Sequence, residues 1–299
     1  MKLRSGSVYS VPKGEKGMED SNDEDTEAGP VHRRILCIIP NSNKALIYNS
    51  HKKENETKDL EFPTLLNIKN FLNNCSWVNF NNKLYILGGV EKNQKSHLFL
   101  EYDSIKNAFK RLPDSKFSHI NHSLLAYENS IYCIGGQENE CEKYDFDTNM
   151  WVSLPKLNFV QDNPVLYIHN NILYSFFGND ESGKKIDHVQ KLNLKNPKSK
   201  WVNVTYNRNG CNLKMEGCGI IKVNDNTIYF YGGKTDNGTL KSVIEFDFNN
   251  MKANKTKYNM GENAYFKESI MPKISDDQYG NFSLDKGNHL IFVSKLAGI

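Results

Sequence analysis

The feature that most constrains this chain is an apolar, strand-like run that ends in paired glycines and returns at intervals. Its fullest copy is Asn129-Ser130-Ile131-Tyr132-Cys133-Ile134-Gly135-Gly136, followed by Glu142-Lys143-Tyr144-Asp145-Phe146 and then Trp151. The run Ile131-Tyr132-Cys133-Ile134 suits a strand buried on both faces. Two successive glycines permit dihedrals and a backbone approach that a Cβ forbids. Asp147-Thr148-Asn149 is turn chemistry that lets the chain double back. The trailing Tyr and Trp are large flat surfaces able to fill the wedge between neighbouring sheets.

Three further copies follow the same order. Leu84-Tyr85-Ile86-Leu87-Gly88-Gly89 precedes Tyr102-Asp103 and Phe109. Ile228-Tyr229-Phe230-Tyr231-Gly232-Gly233 precedes Glu245-Phe246-Asp247. Leu173-Tyr174-Ser175-Phe176-Phe177-Gly178 keeps one glycine and precedes Leu192 and Trp201. The second glycine positions are 89, 136, 178 and 233, giving steps of 47, 42 and 55 residues. Each unit opens with a hairpin that turns at a short polar, mostly Asn-containing loop: Asn81-Asn82, Glu128-Asn129, Asn170-Asn171 and Asp225-Asn226. A period of roughly 50 residues built from short strands points to propeller blades and away from a helical solenoid.

On these residues the chain resembles the kelch-repeat family over roughly residues 33–299, by the extent of the repeat. The resemblance implies an all-β, kelch-type β-propeller, with six blades preferred over five. Closure is expected from both chain ends. A C-terminal hairpin (281–284 and 290–293) would supply first and second strands. An N-terminal unit (35–39 and 45–49) would supply the later ones, because a ring must hide its last sheet edge. The framework positions are then Gly88, Gly89, Gly135, Gly136, Gly178, Gly232, Gly233, Tyr102, Tyr144, Trp151 and Trp201. Trp77 and the second-strand tyrosines at 85, 132, 174 and 229 are also read as repeat-equivalent packing positions, not as stacking surfaces for bases or sugars. The segment 65–72 is expected to be a helical turn or a loop packed on the propeller, and 259–278 a long inter-blade loop.

Charge divides the chain. Residues 1–30 hold four Lys/Arg against seven Asp/Glu, so the net of +3 for the whole chain leaves +6 on residues 31–299. The run Glu19-Asp20-Ser21-Asn22-Asp23-Glu24-Asp25 has no apolar side chain to bury, so 1–30 is expected to be a disordered acidic tail before a single domain at 31–299. A net charge this small argues against a nucleic-acid partner. No apolar run is long enough to span a membrane. The six cysteines show no Cys-x-x-Cys pair, and with no secretory signal in view they read as reduced thiols of the cytoplasm, with the nucleus as an alternative.

The resemblance implies that the loops after the glycines and between the blades emerge on one face, and loops on a rigid ring are where binding usually lives. The candidate partner-binding residues are Lys92, Gln94, Gln137, Glu138, Asp180, Glu181, Lys234, Asp236, His119 and Arg208. His97, His119, His122 and His188 would have to converge from several loops to hold a metal, and His169 belongs to the opposite face, so no metal or cofactor is expected. No nucleophile elbow, phosphate loop or zinc-protease motif is present, so no catalytic residue is proposed. The expected function is a non-catalytic, intracellular protein-interaction module, a scaffold or adaptor. By resemblance its partners would belong to a ubiquitin-ligase or cytoskeletal complex. The alternatives are an enzyme or small-ligand and sugar binder with a site at the central funnel, or a cytoskeletal or ciliary assembly subunit.

Overall fold

A computed structural model describes residues 34–38, 42–49, 54–66, 68–81 and 83–259, together with six short strands between Phe266 and Leu296. The acidic segment 1–30 lies outside the described residues. The first sheet is a three-stranded meander of β1 (Arg34–Ile38), β2 (Lys44–Asn49) and β3 (Glu54–Asp59). Blade A follows, with β4 (Ser76–Phe80), β5 (Lys83–Leu87), a small hairpin of β6 (Val90–Glu91) and β7 (Gln94–Lys95), then β8 (Phe99–Asp103) and β9 (Ala108–Arg111). Blade B comprises β10 (Ser123–Tyr127), β11 (Ser130–Ile134), β12 (Cys141–Asp145) and β13 (Met150–Leu154). Blade C comprises β14 (Val165–His169), β15 (Ile172–Phe176), β16 (Val189–Asn193) and β17 (Val202–Asn203). Blade D comprises β18 (Glu216–Asn224), β19 (Thr227–Thr235), the short β20 (Gly238–Thr239), β21 (Ser242–Asp247) and β22 (Lys252–Asn259). Three two-stranded ladders end the chain: β23 (Phe266–Ser269) with β28 (Ser294–Leu296), β24 (Lys273–Ser275) with β25 (Gln278–Tyr279), and β26 (Ser283–Leu284) with β27 (Leu290–Phe292).

In every blade the strands pair antiparallel in chain order, and the first strands β4, β10, β14 and β18 stand side by side. The result is all-β, a propeller-like arrangement of four blades. The hairpin turns at 128–129 and 170–171 were legible from sequence, and Asn170 and Asn171 both take positive φ, +50° and +61°, as a tight strand-to-strand turn demands.

The double glycine is the seam between blades. The N–H of Gly89 donates to His119 O, that of Gly136 to Gln161 O and that of Gly178 to Met215 O, each at 2.8–2.9 Å. At Gly136 and Gly178 a Cβ would stand 2.4 Å from the carbonyl oxygens of Ile120 and Asp162. The loop leading into the blade therefore lies flat on the glycine, and no side chain fits there.

The trailing aromatics clamp neighbours. Trp151 Nε1 donates to Pro113 O at 2.9 Å, and Trp201 Nε1 donates to Pro155 O at 2.8 Å, in the same geometry one blade apart. Blade A has Phe109 in this place, stacked on Phe62 with centroids 4.7 Å apart, and blade D has the fully buried Ala253. The motif tyrosines hold their own outer turns: Tyr102 OH donates to Asn107 Oδ1 at 2.9 Å and Tyr144 OH to Asn149 Oδ1 at 3.2 Å. Blade D carries Phe246 instead, and with no hydroxyl to satisfy, Met251 replaces the asparagine at the same left-handed φ of +46°. Between blades, Phe99 meets Trp151 edge-on at 5.0 Å, and Phe177 meets Phe230 at 4.9 Å. Burying each such ring contributes about 1.5–3 kcal/mol relative to exposure.

Four expectations need correction. Trp77 is not equivalent to Trp151 and Trp201; it lies on first strand β4, where it packs against Ala45 and Leu60 in one core cluster. Residues 259–278 are not one loop, because β22 extends to Asn259 and β23 and β24 lie within the stretch. In blade D the double glycine does not end a strand, since β19 runs through Gly232 and Gly233 to Thr235. The N-terminal strand runs Arg34–Ile38, one residue earlier than expected. The segment 65–72 meets its expectation: a 3-10 turn at Thr64–Leu66 precedes Phe71, which is buried against Trp77 and Cys75.

Candidate functional site

The site is the face where the post-glycine hairpins stand on the inter-blade loops. Each hairpin has the same root. Val90 exchanges backbone bonds with Asn73, Gln137 N donates to Ile120 O, Asn179 and Asp162 exchange two bonds of 2.8 Å, and Lys234 pairs with Glu216. One residue on, Asn74, Asn121, Asn163 and Gly217 all take left-handed φ of +55° to +59°. Asn121 N donates to Asn74 O and Asn163 N to Asn121 O, so a backbone belt passes from blade to blade. Side chains repeat the link: Asn121 Nδ2 donates to Asp162 Oδ2 at 3.3 Å, and Asn163 Nδ2 to Glu216 Oε2 at 3.3 Å.

The junction of blades C and D carries the densest polar cluster. Glu216 also accepts from Asn179 Nδ2 at 2.7 Å and lies 3.5 Å from Lys185 Nζ, which is 3.7 Å from Asp236. Glu216 is 9% exposed, and these three donors face its carboxylate, as a largely buried polar group requires. On the other side, Lys95 Nζ lies 2.5 Å from Glu138. Ion pairs thus tie the hairpins A to B and C to D.

The ten candidate residues separate on this frame. Lys92 sits at φ +47° in the tight turn between β6 and β7, exposed, with Gln94 beside it on β7. Gln137 and Glu181 are exposed, and Glu138 and Asp236 are exposed while engaged in the ion pairs just described. Lys234 is exposed at the root of its hairpin. Asp180 shapes its own loop, accepting from the Ser182 hydroxyl, Ser182 N and Lys184 N; the Ser182 bond first, then the Lys184 amide, hold its carboxyl below the usual range. Arg208 is placed differently from expectation. Its loop runs along β22, with Asn207 bonded to Met251 and Ala253, and its Nε lies 2.7 Å from Asp187. It belongs to the outer rim, not to the hairpin face.

His119 is the clearest correction. Expected on a polar rim, it is 3% exposed, with Nε2 2.7 Å from Glu142 Oε1. Glu142 also accepts from Lys116 N and Phe117 N, at 3.1 and 3.2 Å. One blade on, Gln161 stands in the place of His119, and Gln190 in that of Glu142. Gln190 accepts from Asn158 N at 2.8 Å and donates to Gln161 Oε1 at 2.9 Å. The two junctions solve one problem, anchoring the loop that enters the next blade, with different chemistry. His122 lies 5.2 Å from His119 between ring centroids, while His97 and His188 are exposed elsewhere, and no group of three or more His, Cys, Asp or Glu suited to a metal occurs among the described residues.

Sequence reading missed Asn121, Asp162, Asn163, Asn179, Lys185 and Glu216. A signal was available: Asn74, Asn121 and Asn163 each fall fifteen residues before the second glycine of their unit. The framework residues behave as repeats of one blade, and the hairpin face is their common opening.

Frame and face together define a β-propeller-like protein. In fold the chain is similar to the solved structure titled "Structure of YjhT", with a TM-score of 0.64, 13% identity, and coverage of 89% of this chain and 94% of that one. No protein-family model matches the sequence, and no curated protein matches it. Among the described residues, no helix is long and apolar enough to cross a membrane.

Proposed function

We propose that this chain is a kelch-type propeller of six blades that serves, in the cytoplasm or nucleus, as a non-catalytic protein-interaction module. The observation that carries the reading is the pairing of the post-glycine hairpins by Lys95–Glu138 and Lys185–Asp236. These ties hold variable, polar loops in a fixed relation before any partner arrives, which lowers the ordering cost of binding. Exposed Lys92, Gln94, Gln137, Glu181 and Lys234 are the contact residues of this face. Such a surface supports a scaffold or adaptor role in a larger complex.

The six-blade reading takes the N-terminal meander as strands two to four of a blade. Leu60 N bonds to Asn43 O beside the meander much as Leu112 N bonds to Phe99 O beside blade A. Closure by both chain ends is supported by the run of neighbours β18, β23, β28, β1 and β4. The C-terminal strand nearest β1 is then β28 and not the hairpin of β26 and β27.

Proximity labelling in the native cell, comparing the wild-type chain with Lys92→Glu/Lys234→Glu, tests the proposal. The same neighbours recovered at equal yield from both would remove the hairpin face as the binding surface.

A further inference from the structure

The outer strands of blades C and D and the loop after blade C carry two basic stretches. The stretch 188–215 contains Lys191, Lys195, Lys198, Lys200, Arg208 and Lys214, and no Asp or Glu. The stretch 248–261 contains Lys252, Lys255 and Lys257, again with no Asp or Glu. The two stretches, far apart in sequence, meet where the loop after blade C is stitched to β22. Asn207 N donates to Met251 O at 2.9 Å, Ala253 N to Asn207 O at 2.8 Å, and Asn209 Nδ2 to Asn254 Oδ1 at 2.9 Å.

The nearest carboxylates are already engaged. Asp187 holds Arg208 at 2.7 Å, Glu245 accepts from Asn254, and Asp247 accepts from the backbone and side chain of Asn250. Lys195, Lys198, Lys200, Lys214 and Lys255 are exposed, and no carboxylate lies within ion-pair distance of them among the described residues. Like charges gathered this way repel one another and gain when a polyanion neutralises them.

We infer that this rim is a second docking surface, which takes an acidic polypeptide segment. Three features choose that partner over other polyanions. The one guanidinium is occupied by Asp187, so the planar fork that favours phosphate recognition is not on offer. Trp201 is 3% exposed and Tyr206 is half-buried under Arg208, so no flat ring is open for base stacking. Val202 is the one large apolar side chain exposed on the rim among the described residues, too little to enter a lipid surface. Lysines on flexible stems, by contrast, suit carboxylates spaced along an extended chain.

The test uses the full chain and a fluorescent twelve-residue peptide of alternating Glu and Asp, read by anisotropy at low salt. Binding should weaken at least about 10-fold in Lys195→Glu/Lys198→Glu/Lys200→Glu and in Lys252→Glu/Lys255→Glu, and about 10-fold between low and physiological salt in the wild type. Lys92→Glu/Lys234→Glu on the hairpin face should bind the peptide as wild type does, which keeps this result separate from the proposed function. The inference is overturned by any of three results: no binding of the peptide to wild type, undiminished binding by both rim variants, or tighter binding of a duplex RNA or of phosphatidylserine vesicles than of the peptide.

Discussion

Phe177 holds a φ of +58° in the place that Gly135 occupies at +73°. The fold demands a left-handed residue at this position in each of the four blades, and blades A, B and D meet the demand with glycine. Blade C meets it with a phenylalanine that is fully buried against Phe176 and Phe230. Two terms oppose each other here. The left-handed conformation costs a bulky L-residue about 1–2 kcal/mol. Burying the ring, with no cavity left behind, is worth about 3–5 kcal/mol against alanine. Packing wins, so the strain is kept.

The two terms can be separated. Phe177→Gly loses the ring and releases the strain; Phe177→Ala loses the ring and keeps the strain. Both variants should be less stable than wild type, and the glycine variant should be the more stable of the two by about 1 kcal/mol. In most strands the order is reversed, because glycine is entropically the worse residue. Urea unfolding of the three proteins decides it. An alanine variant as stable as the glycine variant would mean that the strain is not there.

His119–Glu142 and Gln161–Gln190 predict a double-mutant cycle. His119→Gln alone leaves a carboxylate facing an amide, and Glu142→Gln alone leaves an imidazole facing one. Each should cost about 1–3 kcal/mol, the range for a disrupted buried polar bond. The double variant imports the pairing already used one blade on, so it should recover at least about 1 kcal/mol of the summed losses. Denaturant midpoints of the four proteins give the coupling energy. Simple additivity would show that the two side chains do not act as a unit.

Much of the frame was legible from sequence because blade physics repeats. A strand buried on both faces needs an apolar run, and a seam where a carbonyl lies on the backbone needs glycine. Both requirements leave residues at fixed spacing. Legibility failed where one requirement is met by different chemistry in different blades. Phe177 hid a glycine position, Ala253 hid a tryptophan position, and His119 looked like a surface histidine because its equivalent in the next junction is a glutamine. The polar belt was missed for another reason. Asn121, Asn163 and Glu216 are ordinary loop residues until the fold sets blades side by side, and only the folded structure places Asn163 beside Glu216, 53 residues away. Arg208 was misplaced because its end of the loop is bonded to β22 before the chain turns in to Met215.

The Asp of the repeat is a turn cap, and that makes it a source of acid sensitivity. Asp145 accepts from the backbone of Thr148 and Asp147, and the Thr148 amide is the main reason its carboxyl lies below the usual range. Asp247 is held down first by the Asn250 side chain and then by the amides of Asn249 and Asn250. A carboxyl whose folded value is depressed stabilises the fold in full above its unfolded value of about 3.9, and that stability is lost as pH falls through the folded value. Wild type should therefore lose stability between about pH 5 and pH 3. Asp145→Asn/Asp247→Asn keeps an acceptor in each turn but takes up no proton, so its loss over the same interval should be smaller, though not zero, because Asp180 and Asp225 are also held down. Urea midpoints at the two pH values measure both slopes, and equal slopes would assign the acid sensitivity elsewhere.

Thiol reactivity should follow burial. Burial pushes the Cys141 thiol up to about 12, and it also pushes the Cys133 and Cys218 thiols well up. Cys211 is also raised by partial burial, but Lys255 beside it favours the thiolate, and the residue is only half-covered. A thiol must be both ionised and reachable to react. In the native protein at mildly alkaline pH, iodoacetamide should modify Cys211 at least about 100-fold faster than Cys133, Cys141 or Cys218, which react only when their blades open. Peptide mass spectrometry over a time course gives each rate separately. Comparable rates at Cys211 and Cys133 would mean that the centre of blade B is open to reagent, and so that the hydrogen-bonded seam at Gly136 does not hold its blade closed.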